Sequence, residues 1–117
     1  MADYNEALEI DPLYAPAYNN RAVLYSQLGQ VQLAFNDFQK ALEINSDLET
    51  AYVNRANLYF IIKEYDLALR DYTKVIQLNP QKAEAYQKRA EVYRALGKLQ
   101  QSLEDTLQAK ALGAAGE

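Results

Sequence analysis

Arg21, Arg55 and Arg89 recur at one constant interval, each three positions after one tyrosine and four before another. Three guanidinium groups at a fixed spacing can hold an anion, because the planar fork of N–H donors matches a carboxylate or a phosphate. The same interval carries a counter-charge. Asp3, Asp37, Asp71 and Asp105 recur with it, so each arginine has one aspartate upstream, in the preceding hairpin, and another downstream. The spacing predicts inter-repeat pairs Asp3–Arg21, Asp37–Arg55 and Asp71–Arg89, with Asp105 left over. Arginines paired in this way are staples that set register rather than ligand-binding groups.

Other chemistry has little material. The chain has no His and no Cys, so the arrangements in which an imidazole activates a hydroxyl or thiol have no members. Ser26, Ser46 and Ser102 lie in no nucleophile motif. The glycines occur singly, which leaves no loop to cradle a phosphate, and no cluster has metal-ligand spacing. The expectation is a chain that is not an enzyme and takes no cofactor or metal. A net charge of -4 without a basic stripe argues against nucleic acid. No stretch approaches the roughly 18 apolar residues of a membrane span. The acidic opening MADYNEALEIDP lacks the apolar run of a signal peptide, so a cytoplasmic protein is the default expectation.

The elements that must position the arginines follow from the interval. AYNNRAVLY, AYVNRANLY and AYQKRAEVY align Ala17 with Ala51 and Ala85, and Tyr18 with Tyr52 and Tyr86. A repeat of about 34 residues is one supersecondary unit that stacks on its neighbours. Within a unit, Tyr18, Arg21, Ala22 and Tyr25 share one helical face, and Ala34, Phe38 and Ala41 share another. Gly29 and Gly97 mark the breaks between the two helices, where a left-handed residue ends a helix. The middle unit has Lys63-Glu64 there and should strain or close differently. Asp11-Pro12 and Asn79-Pro80 end second helices. Helices are expected near 3–10, 15–28, 31–44, 49–62, 65–78, 83–96 and 99–112, with Gly113–Glu117 frayed. The frames are 15–48, 49–82 and 83–116. Residues 1–14 match a second helix without its first, as expected of a segment of a longer repeat protein, three and a half units long. Most of the ten tyrosines then occupy framework positions.

This pattern resembles the tetratricopeptide repeat. Tyr18, Ala22, Tyr25, Gly29, Ala34, Phe38 and Ala41 fall where that motif places aromatic and small residues. The interval between units also matches the motif's period of about 34 residues. The resemblance implies an all-α solenoid of antiparallel helix hairpins stacked in a right-handed superhelix, with the first helix of each pair lining a concave groove. Arg stands in place of the motif's usual Leu in all three units. Ser102 and Thr106 replace a small residue and an aromatic, so the last helix should pack more loosely.

The resemblance implies a scaffold that binds a protein or peptide partner. The positions it assigns to the groove are Asn19, Asn20, Val23, Gln27, Val53, Asn54, Asn57, Phe60, Ile61, Gln87, Lys88 and Glu91. Phe60 and Ile61 break the repeat: either packing absorbs them, or they form an apolar floor flanked by amides that bond a peptide backbone. A subgroup of the family clamps the C-terminal carboxylates of heat-shock chaperones. The matching positions here are Asn19, Val23, Asn54, Glu84 and Lys88. Only Asn54 fits, with Lys88 a conservative replacement, and Glu84 would repel a carboxylate, so chaperone-tail binding is not expected. The two rival expectations are a structural spacer and an accessory domain of an enzyme encoded elsewhere in the full chain. The spacer would self-associate through Tyr4, Ala7, Leu103 and Leu107, apolar residues at the open ends of the stack.

Overall fold

Six helices account for most of residues 14–116, the part of the chain described by the structure, a computed structural model. They are α1 (Ala15–Gln27), α2 (Val31–Ile44), α3 (Glu49–Ile61), α4 (Tyr65–Leu78), α5 (Ala83–Ala95) and α6 (Leu99–Gly116). No strand occurs among the described residues. The helix expected at 3–10, and with it Tyr4 and Ala7, lies outside them. The other expected helices are present, and their ends move by a residue. The exception is α6, which runs on to Gly116 where fraying was expected. Ala111, Ala114 and Ala115 have the highest helix propensity of any residue and no proline interrupts them.

The helices form two compact units, one ending at Leu58 and the other starting at Tyr59. In the first, Ala22 of α1 and Ala34 of α2 are fully buried together with Phe38 and Leu58. Methyl side chains let the two helix backbones approach, and Phe38 fills the space that remains. Val23, Tyr25, Val31 and Phe35 pack around this cluster. A second cluster joins Ala15, Ala41 and Ala51, ringed by Tyr18, Leu42, Ile44 and Leu48. In the second unit α5 packs on both α4 and α6, around buried Ala68, Tyr72, Val75, Ala85, Ala90, Val92 and Ala109.

Ser102 does not loosen the last hairpin. It is buried, and its hydroxyl donates to the carbonyl of Ala90 at 2.9 Å. Thr106 returns its own hydroxyl to the Ser102 carbonyl at 2.9 Å. A small hydroxyl at a close helix contact substitutes a hydrogen bond for the missing apolar volume.

One turn closes all three hairpins. The amides of Gln30, Glu64 and Lys98 donate to the carbonyls of Tyr25, Tyr59 and Tyr93 at 2.8 to 2.9 Å, and the amide just before each donates three residues back. This double bond pattern requires a left-handed residue between them. Gly29 and Gly97 supply it at φ 76°, and Lys63 adopts it at φ 67°. A Cβ at either glycine would meet nothing within 4 Å. The preference for glycine is therefore a backbone matter, which is why lysine fits in space and is strained in conformation. The links between hairpins use another device. The Asn45 and Asn79 carboxamides accept the amides of Asp47 and Gln81, at 3.0 and 3.2 Å. The phenols of Tyr52 and Tyr86 reach back to the carbonyls of Ser46 and Pro80, at 3.0 and 3.1 Å.

The strain at Lys63 is open to measurement. A left-handed lysine costs about 1–2 kcal/mol, of which glycine's greater freedom in the unfolded chain returns about 0.5–1 kcal/mol. Lys63→Gly should therefore stabilise by about 0.5–1 kcal/mol and raise Tm by a few degrees in a thermal melt; an unchanged or lower Tm would contradict the strain. Alkali probes a different position. Burial, reinforced by the charges of Glu91, Glu84 and Asp71, pushes the Tyr72 phenol above its ordinary value of 10.0. The unfolded chain then ionises before the folded one. This stabilising contribution is complete below pH 10 and is lost as pH rises toward the raised value. Tyr72→Phe should show a shallower loss of stability above pH 10 than the native chain, measured by urea unfolding at stepped pH.

Candidate functional site

The arginines form the most highly organised side-chain groups. Arg21 on α1 donates from Nε to Asp37 Oδ2 at 2.6 Å and from Nη2 to Asp37 Oδ1 at 2.8 Å. Arg89 on α5 repeats the arrangement with Asp105 of α6 at 2.7 and 2.8 Å, and adds a longer bond from Nη1 to Thr73 of α4 at 3.4 Å. Both aspartates are buried. Tyr18 and Tyr25 flank Arg21, with ring centres 5.6 and 5.7 Å from Cζ. Tyr86 and Tyr93 flank Arg89 at 5.8 and 5.6 Å, and Tyr52 lies 5.8 Å from Arg55. Spacings of three before and four after put both rings on the arginine's own helical face, within cation–π reach. The carboxylate hydrogen bonds hold both guanidinium groups above their ordinary pKa, against the opposing effect of burial.

This arrangement corrects the expected pairing. Asp37 takes Arg21 rather than Arg55, and Arg89 takes Asp105 rather than Asp71; Asp3 lies outside the described residues. The reason is hairpin geometry. In two antiparallel helices, residues equidistant from the turn face one another. Arg21 and Asp37 lie eight residues either side of Gly29 (29 − 21 and 37 − 29), as Arg89 and Asp105 do around Gly97. The pair closes a hairpin instead of joining two. Residue spacing and the turn glycine together carried that signal.

The residues expected to line a groove fall into three groups. Asn19 is buried and serves the fold: its Nδ2 donates to Thr50 Oγ1 at 3.3 Å, and its Oδ1 accepts Asn54 Nδ2 at 3.2 Å. It is not a solvent-facing amide, because α1 and α3 lie side by side here and Asn19 points between them. Val23, Val53, Asn54, Asn57, Phe60 and Lys88 are half-buried. Val23 packs on the core cluster of the first unit. Phe60 leans on Tyr65, with ring centres 5.5 Å apart and planes tilted by 59°. Asn20, Gln27, Gln87 and Glu91 are exposed, and Ile61 is 73% exposed. Packing thus takes part of Phe60 and leaves Ile61 in water. Thr50 and Thr73 do not recur at the equivalent positions of the other frames, so the repeat carries no signal for them. Among the described residues no group of acidic side chains is placed to hold a metal ion, and no helix is long and apolar enough to cross a membrane.

Comparison with known proteins gives a consistent picture. A family model described as tetratricopeptide repeat matches residues 15–48 and 50–82, and another of the same description matches 71–104. No curated protein matches the chain in sequence. Among solved structures, the fold is similar to that of MamA, with a TM-score of 0.83 and 23% identity over 93% of this chain and 64% of that one. It is similar to the first TPR of Spaghetti (RPAP3), solved bound to the HSP90 peptide SRMEEVD, with a TM-score of 0.78 and 24% identity over 84% and 78%. It is also similar to YrrB, described as a TPR protein with an unusual peptide-binding site, with a TM-score of 0.85 and 25% identity over 93% and 56%. The chain spans under two thirds of the length of the MamA and YrrB chains.

The hairpin role of the arginines is measurable. Removing either partner of the part-buried Arg21–Asp37 pair should cost about 2 kcal/mol, and a double-mutant cycle of Arg21→Ala with Asp37→Ala should return a coupling of about 1–2 kcal/mol. The same cycle on Asp37 and Arg55 should give far less. Arg21→Lys keeps the charge but loses the fork, and should recover less than half of the loss. Equal coupling in both cycles would restore the inter-repeat reading.

Proposed function

This chain belongs to the tetratricopeptide repeat family, and we propose that it is a protein-interaction scaffold that takes an extended peptide segment of another protein on its first-type helices. The fold is the all-α tetratricopeptide solenoid. Two of the similar structures are described as peptide-binding, which supports the same class of partner here.

The observation that carries the reading is the α1–α3 face of the first unit. Val23 and Val53 are half-buried there, among Asn20, Gln27, Asn54 and Asn57. Interspersed carboxamides and aliphatic side chains suit a peptide in extended conformation. The exposed carboxamides of Asn20 and Gln27 each offer a donor and an acceptor that match a peptide group, and the valines accept alternate side chains. The bridge through Asn19 holds α1 and α3 at a set separation, so the face is organised before a partner arrives and less ordering entropy is lost on binding. Recognition of a terminal carboxylate has little support. Asn19 is committed to Thr50 and Asn54, and Val23 supplies no donor. In the second unit, Ile61 offers a separate exposed apolar contact.

The reading is tested by selecting displayed random peptides on the immobilised native chain, then measuring binding of the enriched peptides by fluorescence anisotropy. Val53→Lys should weaken binding at least tenfold, about 1.4 kcal/mol, while the helical circular dichroism signal and Tm stay within a few degrees of native. Failure to enrich any peptide, or full binding by the variant, would remove the α1–α3 face as the site.

A further inference from the structure

The centre of the α1–α3 face has no charge to offer a ligand. Arg21 is the one Asp, Glu, Lys or Arg residue of α1, and Glu49 and Arg55 are those of α3. Arg21 lies two residues from both Asn19 and Val23, and Arg55 two residues from both Val53 and Asn57, which turns each arginine about 200° away round its helix. Arg21 is spent on the fork to Asp37 of α2. Arg55 lies against the ring of Tyr52, 5.8 Å from its centre. Glu49 stands one turn before Val53, at the end of the face, in the first turn of α3, where a helix N-terminus favours a negative charge. It is half-buried and already has a partner of its own.

The fold does not impose this neutrality. Glu84, Lys88 and Glu91 of α5 occupy the positions that Thr50, Asn54 and Asn57 hold in α3. Yet α5 is a first-type helix of the same 13 residues as α3. Charge at these positions is therefore compatible with the unit, and α1 and α3 carry amides, a hydroxyl and valines instead. The polar groups nearest the centre are turned to one another, Asn19 to Thr50 and Asn54 to Asn19.

We infer that the α1–α3 face selects a peptide segment whose central residues are uncharged, and rejects both acidic and basic ones; this rests on peptide binding at that face. A charged side chain seated on Val23 and Val53 would give up water and meet no opposite charge in return. The penalty has the same sign for a carboxylate and an ammonium, so it discriminates against both. Without ion pairs across the contact, added salt has little to screen.

The probes are short synthetic peptides with acetylated N-termini and amidated C-termini, drawn from Gly, Val, Leu, Ile, Ser, Thr, Asn and Gln. Those retained by the immobilised native chain are remade with Lys or Glu at the central residue, and binding is measured by fluorescence anisotropy. Each charge should weaken binding roughly tenfold. The uncharged peptides should change by less than about twofold between about 50 and 500 mM salt. Val53→Glu should recover the Lys peptides and Val53→Lys the Glu peptides, with native circular dichroism. Either charge leaving binding to the native chain unchanged or stronger overturns the inference. So does retention of no uncharged peptide. The Val53→Lys variant separates the two levels. If it weakens the uncharged peptides while the Lys or Glu peptides bind the native chain equally well, the face stands and only its selectivity falls. If it holds the uncharged peptides as the native chain does, the face itself is removed, and the inference with it.

Discussion

Closure of the helix hairpin is the constraint on which the rest of this structure depends. A single left-handed residue turns the chain, and the bonds around it fix the second helix antiparallel to the first. The Arg–Asp fork, eight residues from the turn on either side, then sets how far along each other the helices lie. Bidentate geometry tolerates little sliding: shifting one helix by a residue would break both N–H···O bonds and leave a buried carboxylate unpaired. Alanines at the crossing permit the approach. They do not specify register, since a methyl group packs similarly in neighbouring positions. Polar geometry chooses among apolar arrangements that burial alone would leave nearly equivalent.

The tyrosines contribute at several points of the same unit. Their rings cover the guanidinium groups of the staples, their backbone carbonyls accept the turn amides, and the phenols of Tyr52 and Tyr86 reach back to the preceding links. An amphipathic side chain suits these positions because one end can pack while the other finds a polar partner. That explains why so aromatic a chain does not read as a ligand cage. Binding capacity lies instead where the repeat varies, in the amides and aliphatic residues of the first-type helices. What repeats holds the units in shape, and what differs between units is free to be specific.

Most of the fold was legible in the sequence because it rests on local periodicity. Helix positions follow from small and aromatic residues spaced at the helical period, and turn positions follow from Gly29 and Gly97. Lys63 was legible as an irregularity, and the structure shows it accepting the glycine conformation at a cost in strain. The candidate site was less legible. Asn19 looked like a groove amide, yet its partners Thr50 and Asn54 lie more than thirty residues away and are brought close only by packing. Phe60 broke the repeat and invited a binding role, but Tyr65, met across the next turn, takes part of its surface.

The sequence by itself determined the class of unit, the count of helices in residues 14–116 and the placement of the turns, since each depends on neighbours within one or two helical turns. Only the tertiary structure decided which aspartate each arginine meets. Both candidates were present at fixed spacings, and the choice rests on the antiparallel path of one hairpin. It also decided which apolar residues are covered. Leu58 and Leu24 have similar neighbours along the chain, but one is buried and the other half-buried. Burial is a property of what packs against a helix, and the repeating sequence of the helix does not record it.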